Sequence, residues 1–266
     1  MSDITATAPV DATETEKPLT HAVISVVPEE AAAKLRPDVT TSPEVLAEEQ
    51  KTGKKLCPFT EATAESKPIP SPPLTAEQQQ KYDSLLEFAQ GISTLPVSTE
   101  KNAESRPLDE DEKMWLTREC LLRYLRACKW NLVEAKKRLE ATLIWRRGYG
   151  VLSHTAEYIS PENETGKQFI LGFDKFGRPC LYLNPGKQNT ERSPRQIQHL
   201  VFMLERVVDL MGPGQETLAL LIDFSSSTKT SNPSIAQGRQ VLDILQSHYP
   251  ERLGRSLVIN GEFPTP

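Results

Sequence analysis

Residues 168–183 read QFILGFDKFGRPCLYL, and the fold turns on them. Upstream, apolar residues recur at helical spacing. Here they gather into two short blocks, Gln168–Phe173 and Pro179–Leu183, split by Asp174-Lys175-Phe176-Gly177. Short apolar blocks flanking such a turn predict a β-hairpin. Gly177 supplies the positive φ that the turn needs at little steric cost.

Working downstream, Ser193-Pro194 predicts a helix start, with Pro where no amide donor is needed. Ile197, Leu200, Val201, Leu204, Val207, Val208 and Met211 then form one broad apolar face. Thr217–Phe224 is a nearly continuous apolar run, the pattern of a strand covered on both faces. Asn232-Pro233 opens another helix, with Ile235, Val241, Leu242 and Leu245 expected inward. Ser256–Asn260 reads as the last strand. The order β-β-α-β-α-β predicts an α/β fold: a mixed, mostly parallel sheet with crossover helices.

Upstream, Thr75 and Gln78 form a capping-box pattern before Tyr82, Leu85, Leu86 and Ala89. A loop around Pro96 and Pro107 leads to a helix over 109–128, with Trp115, Leu121, Leu122 and Leu125 as core residues. Asn131 and Glu134 open a third helix to about Arg147, its stripe running through Leu132, Ala135, Leu139, Thr142 and Trp145. Residues 75–150 therefore read as a helical subdomain. Residues 1–74 hold 12 acidic and seven basic side chains and few aromatics, which predicts a disordered, acidic, Pro-rich tail.

That tail accounts for the net charge of −5, so residues 75–266 are formally neutral. A neutral body argues against nucleic-acid binding. No apolar run is long enough to span a bilayer, and no signal peptide opens the chain. A cytoplasmic protein is expected. Cys57, Cys120, Cys128 and Cys180 lack metal-ligand spacing and read as reduced thiols. His154, His199 and His248 are scattered and suggest neither a metal site nor a triad. Cys120 and Arg126 have the spacing of cysteine phosphatases, but Leu-Leu-Arg-Tyr-Leu between them cannot form a phosphate-cradling loop. No enzyme activity, cofactor or metal is expected.

Four motifs, in order, carry a family resemblance. They are Leu121-Leu122-Arg123-Tyr124-Leu125-Arg126-Ala127-Cys128-Lys129-Trp130, Trp145-Arg146-Arg147-Gly148-Tyr149-Gly150, Asp174-Lys175-Phe176-Gly177-Arg178-Pro179 and Tyr249-Pro250-Glu251-Arg252-Leu253-Gly254. Across residues 109–260 the chain resembles the CRAL-TRIO lipid-binding family. Asn184–Thr190 and Gln198–Asp209 look closest to fungal phosphatidylinositol-transfer proteins, in the branch linked to multidrug resistance and sterol metabolism. Residues 151–260 would then be a partial lipid-binding domain, with 261–266 outside the family pattern.

The resemblance implies an apolar cavity that holds one lipid and a downstream helix that gates it. It implies binding and transfer of phosphatidylinositol or another phospholipid, with sterol as a second ligand and transient contact with intracellular membranes. The other class it allows is a module that senses a lipid, or presents it to a lipid kinase, without net transport. Glu251, alone a solvated loop carboxylate, becomes by resemblance a head-group residue. Lys129 takes the place of a phosphate-binding cation or is a helix-end charge favoured by the dipole. The family's preceding cation is replaced here by Cys128. Arg123 and Arg126 are expected to pack or pair, and Lys136, Lys137 and Arg138 to form a solvated face. Leu181, Leu183, Ile222, Phe224 and Val258 fit cavity lining and dry core equally.

The family continues past Asn260 with more cavity wall, the gate helix and a cation for the Pro-Glu-Arg acid. Gly261-Glu262-Phe263 can be encoded by GGTGAGTTT, which contains an intron-start sequence. A retained intron or missed exon is therefore expected, and a chain ending there is expected to fold poorly.

Overall fold

A computed structural model describes residues 43–53, 59, 61–228, 231 and 233–260. The expectations that fall on residues 1–42, Cys57, Asn232 and 261–266 lie outside these. The chain divides into residues 1–57 and 58–266, each taken by itself. In the first part, helix α1 (Pro43–Thr52) has no buried residue.

In the second part, α2 (Ala76–Gln90) begins where the capping box is read. Thr75 Oγ1 accepts from the Gln78 amide at 3.2 Å, and Gln78 Oε1 accepts from the Thr75 amide at 3.0 Å. Packing begins before Thr75, however: Leu74 touches the helical core. The backbone of Ser66 also lies against Gly177, where an added Cβ would meet its carbonyl oxygen at 3.3 Å.

The single helix read over 109–128 is two, α3 (Glu110–Trp115) and α4 (Arg118–Ala127). Thr117 breaks it, because its hydroxyl accepts from the Cys120 amide at 3.1 Å and caps a new start. α5 (Leu132–Tyr149) follows and ends at left-handed Gly150. Leu85, Leu121, Leu125 and Leu139 meet between α2, α4 and α5, all with no exposed surface. The Pro96–Pro107 loop contains a short antiparallel pair, β1 (Thr94–Pro96) and β2 (Ser105–Pro107). Arg147 from α5 clamps it, donating to Pro107 O at 3.1 Å and Glu112 Oε2 at 2.8 Å.

α6 (Ala156–Asn163), which the sequence did not announce, precedes the sheet. Then come β3 (Gln168–Phe173), β4 (Pro179–Leu183), α7 (Arg195–Asp209), β5 (Leu218–Asp223), α8 (Ile235–His248) and β6 (Leu253–Ile259). The strands lie in the order β3-β4-β5-β6. The first pair is antiparallel and the other two are parallel. The turn is as read: Gly177 has φ +70°, and Asp174 Oδ1 accepts from the Phe176 and Arg178 amides at 2.8 and 3.0 Å.

Register aligns Ile170, Leu181, Leu220 and Ser256 across one face, beside the row Gln168, Leu183, Ile222 and Val258. α7 packs on this face with Val201 and Val207 fully buried. α8 packs less closely, and its inward set differs from the one read. Ile244 is its buried residue. Ile235 and Leu242 are 80% and 54% exposed, while Val241 and Leu245 reach the core in part. β5 is buried on both faces only at Leu218 and Ala219, and its later residues are half-covered. β6 starts at Leu253, ahead of the expected Ser256, and is exposed along its length.

Two consequences are measurable by urea unfolding. Leu121→Ala empties a site with no exposed surface, so stability falls by about 2–5 kcal/mol. His199 and His248 are both pulled down to about 4, first by burial and then by cations, Lys167 for the former and Arg138 for the latter. The unfolded chain protonates both near 6.5, so between pH 6.5 and 4 it binds more protons than the fold. Stability therefore falls as pH drops through that window, and the fall is shallower in the His199→Gln/His248→Gln double variant.

Candidate functional site

The loose seating of α8 leaves a hollow of about 780 Å³ between it, α7 and the sheet. Its floor is Leu181 and Leu183 from β4 and Leu218, Leu220 and Ile222 from β5. Leu200 and Leu204 from α7 form one wall; Val241, Leu242 and Leu245 from α8 form the other. This lining follows from two periods. Strand alternation sends every second residue to one face, and helical spacing stacks Leu200 on Leu204 and Val241 on Leu245.

The rim is polar and comes from distant parts of the chain. Arg138 of α5, Gln246 of α8 and the loop Tyr249-Pro250-Glu251-Arg252 border the opening. The loop is anchored beneath by a buried network. Arg146 donates both terminal nitrogens to Glu205, each at 2.9 Å, and the Tyr249 hydroxyl donates to Glu205 Oε1 at 2.6 Å. Burial, then the Glu205 charge, holds Tyr249 well above its usual range, so it stays a neutral donor. His248 stacks flat on Trp145 with ring centroids 4.0 Å apart, and its Nδ1 lies 3.1 Å from the Thr142 hydroxyl.

This anchoring presents Glu251 at φ +58°, a left-handed conformation that side chains larger than Gly rarely adopt. Its Oε2 lies 3.6 Å from Arg126 Nε. Arg126 also donates to Glu216 at 3.0 Å, and Arg123 donates to the same carboxylate at 3.3 Å. Arg252 donates to the Glu216 backbone carbonyl at 2.9 Å. Burial, then the Arg123 charge, pulls it down to about 10.

A second hollow, of about 310 Å³, adjoins the first through Leu183, Leu200, Ile222, Gly238 and Val241. Its far wall is polar: Lys167, Gln188, Thr190, Gln196 and Gln237. Lys167 is buried and ion-paired with Glu162, and it donates to Gln188 Oε1 at 2.7 Å. Gln168 Oε1 is buried there without a hydrogen-bond partner.

Of the residues singled out from sequence, Glu251, Leu181, Leu183 and Ile222 meet around the larger hollow. Phe224 borders only the smaller one. Val258 shares their sheet face, partly exposed on β6, and lines neither. Lys129 follows α4 at φ +50°, exposed and away from both hollows. Arg126, the cation actually beside Glu251, was expected only to pack or pair. Nothing local in sequence links it to a residue in the loop after α8. The Arg146–Glu205–Tyr249 anchor was missed for the same reason. No cluster of His, Cys, Asp or Glu among the described residues could hold a metal. No helix among them is long and apolar enough to cross a membrane.

Comparison with known proteins agrees with this architecture. The CRAL/TRIO N-terminal domain profile matches residues 81–141, and the CRAL/TRIO domain profile matches residues 163–261. A CRAL-TRIO domain-containing protein of Schizosaccharomyces pombe is 56% identical over 187 residues, covering 70% of this chain and 18% of that protein. Phosphatidylinositol transfer protein PDR17 of Saccharomyces cerevisiae is 42% identical over 209 residues, covering 71% of this chain and 59% of that one. The chain thus spans less than a fifth of the first relative's length and about three fifths of the second's. The crystal structure of Sfh5 shares the fold at a TM-score of 0.51 and 15% identity, over 72% of this chain and 73% of that one. The helical N-terminal part, the mostly parallel sheet and both profile matches make this chain a member of the CRAL/TRIO family.

Proposed function

We propose that this chain binds a phospholipid, phosphatidylinositol first among them, in the larger hollow and carries it between membranes. The observation that supports this reading best is the hollow itself: apolar walls from two strands and two helices end at a rim that holds a paired carboxylate. An acyl chain exposed to water costs about 0.8 kcal/mol per methylene. A protein that shelters the chain lowers the barrier to leaving a bilayer by part of that sum. Glu251 accepts hydrogen bonds from head-group hydroxyls, with Arg126 3.6 Å away as its ion-pair partner. No bond is made or broken in this role. Contact with membranes is transient and peripheral.

A sterol is a second candidate ligand. The unpartnered Gln168 Oε1 in the smaller hollow would accept from a neutral hydroxyl, and the apolar residues shared by the two hollows suit a rigid ring system.

A vesicle-to-vesicle assay with labelled phosphatidylinositol tests the reading. Transfer above the spontaneous rate is expected. Lipid captured without transfer would instead support a sensing or lipid-presenting module, and no capture at all would reject both. Glu251→Gly separates head-group recognition from folding. It relieves the left-handed backbone, so stability is kept or rises by about 1 kcal/mol, while phosphatidylinositol capture falls. Equal capture by the variant, measured by co-sedimentation with vesicles, would remove Glu251 from the site.

A further inference from the structure

The charges around the mouth of the larger hollow do not cancel. Glu251 is its acidic member, and Arg126 already sits beside it at 3.6 Å. Arg138 and Arg252 also border the hollow, and neither has a carboxylate partner among the described residues. Arg138 donates to the Gln246 carbonyl at 2.6 Å and approaches Cys128 Sγ at 3.7 Å. Arg252 has the Glu216 carbonyl at 2.9 Å and Met211 Sδ at 3.4 Å. Both guanidiniums are therefore held by neutral acceptors while bordering one hollow, with donors left over. The carboxylates nearest Arg252 are committed elsewhere: Glu216 to Arg123 and Arg126, Glu205 to Arg146. Leaving a guanidinium half-buried without a counter-charge is costly. That cost is offset when an anion enters with the ligand.

We propose that Arg138 and Arg252 hold the phosphodiester of the bound lipid at this mouth, taking the role that resemblance gives to Lys129. Each guanidinium offers paired donors that match phosphate oxygens, which a lone ammonium cannot reproduce. Lys129 is turned into solvent and borders neither hollow. Glu251 at the same rim repels a second negative charge. The site therefore favours the single charge of a phosphodiester over the near-double charge of a phosphomonoester. The inference rests on the lipid-capture reading and names the part of the ligand that these two cations take.

The test is capture from phosphatidylcholine vesicles carrying labelled phosphatidylinositol or, separately, diacylglycerol of the same chains. Arg138→Gln is expected to weaken phosphatidylinositol capture by about tenfold and leave diacylglycerol capture unchanged. Arg138→Lys, which keeps the charge and loses the fork, is expected to fall between. A thermal melt of each variant distinguishes lost binding from lost folding, and the Lys variant carries the comparison if the Gln variant melts early. Lys129→Gln stands for the rival assignment. A loss there as large as that of Arg138→Gln overturns the proposal, as does an equal loss for both lipids. A melt shifted by inorganic phosphate alone, with phosphatidylinositol capture indifferent to Arg138, also overturns it in favour of a free anion. If diacylglycerol is captured but phosphatidylinositol is not, this inference fails while an apolar lipid site remains. Capture of neither rejects the site altogether.

Discussion

The buried contact of Arg146 with Glu205 and Tyr249 is the constraint on which the site depends. It ties α5, α7 and the loop after α8 together by three hydrogen bonds of 2.6 to 2.9 Å. A bidentate guanidinium–carboxylate pair fixes direction as well as distance. The Tyr249 hydroxyl then fixes where the chain leaves α8. Two residues later the backbone must turn left-handed at Glu251 before entering β6. Such a conformation persists only where its surroundings over-determine it. The buried network provides that control, and the rim of the hollow inherits its geometry.

The hollow follows from unequal packing of two helices on one sheet face. α7 turns a dense apolar face to the sheet and seals it through Val201, Leu204 and Val207. α8 buries Ile244 and leaves Leu242, on the wall of the hollow, more than half uncovered. The space between them is apolar on every wall because the strands alternate and the helices repeat at 3.6 residues. Polar groups gather at the rim and in the smaller hollow, some from loops and some, such as Arg138, Gln246 and Gln196, from helices. An amphipath is the ligand shape that this division of surfaces suits.

Much of the fold was legible because it rests on local signals. The Asp174–Gly177 turn, the Thr75–Gln78 capping box and the stripe through Ala135, Leu139 and Thr142 each declare themselves within a few residues. The break at Thr117 was missed because a capping hydroxyl inside an apolar run looks like one more helical position. The inward face of α8 was misread at Ile235, and Leu242 faces the hollow without being buried, because periodicity gives a helix's apolar residues without saying how closely the helix sits on its neighbour. The site was less legible still. Glu251 stood out through the Pro-Glu-Arg run, but its partner Arg126 lies on α4 and its anchor on α5 and α7. Long-range ion pairs leave no spacing to read. Leu181, Leu183 and Ile222 of the hollow's floor stood out by alternation and Leu218 and Leu220 did not, and alternation alone could not distinguish a cavity from a dry core.

The central claim is that one lipid occupies the space between α7, α8 and the sheet. Native mass spectrometry of the chain after incubation with mixed phospholipid vesicles tests it most directly. The account predicts a one-to-one complex whose added mass is that of a phospholipid, with phosphatidylinositol enriched over its share in the vesicles. A spectrum of bare protein alone, under conditions where the chain is folded, would contradict it.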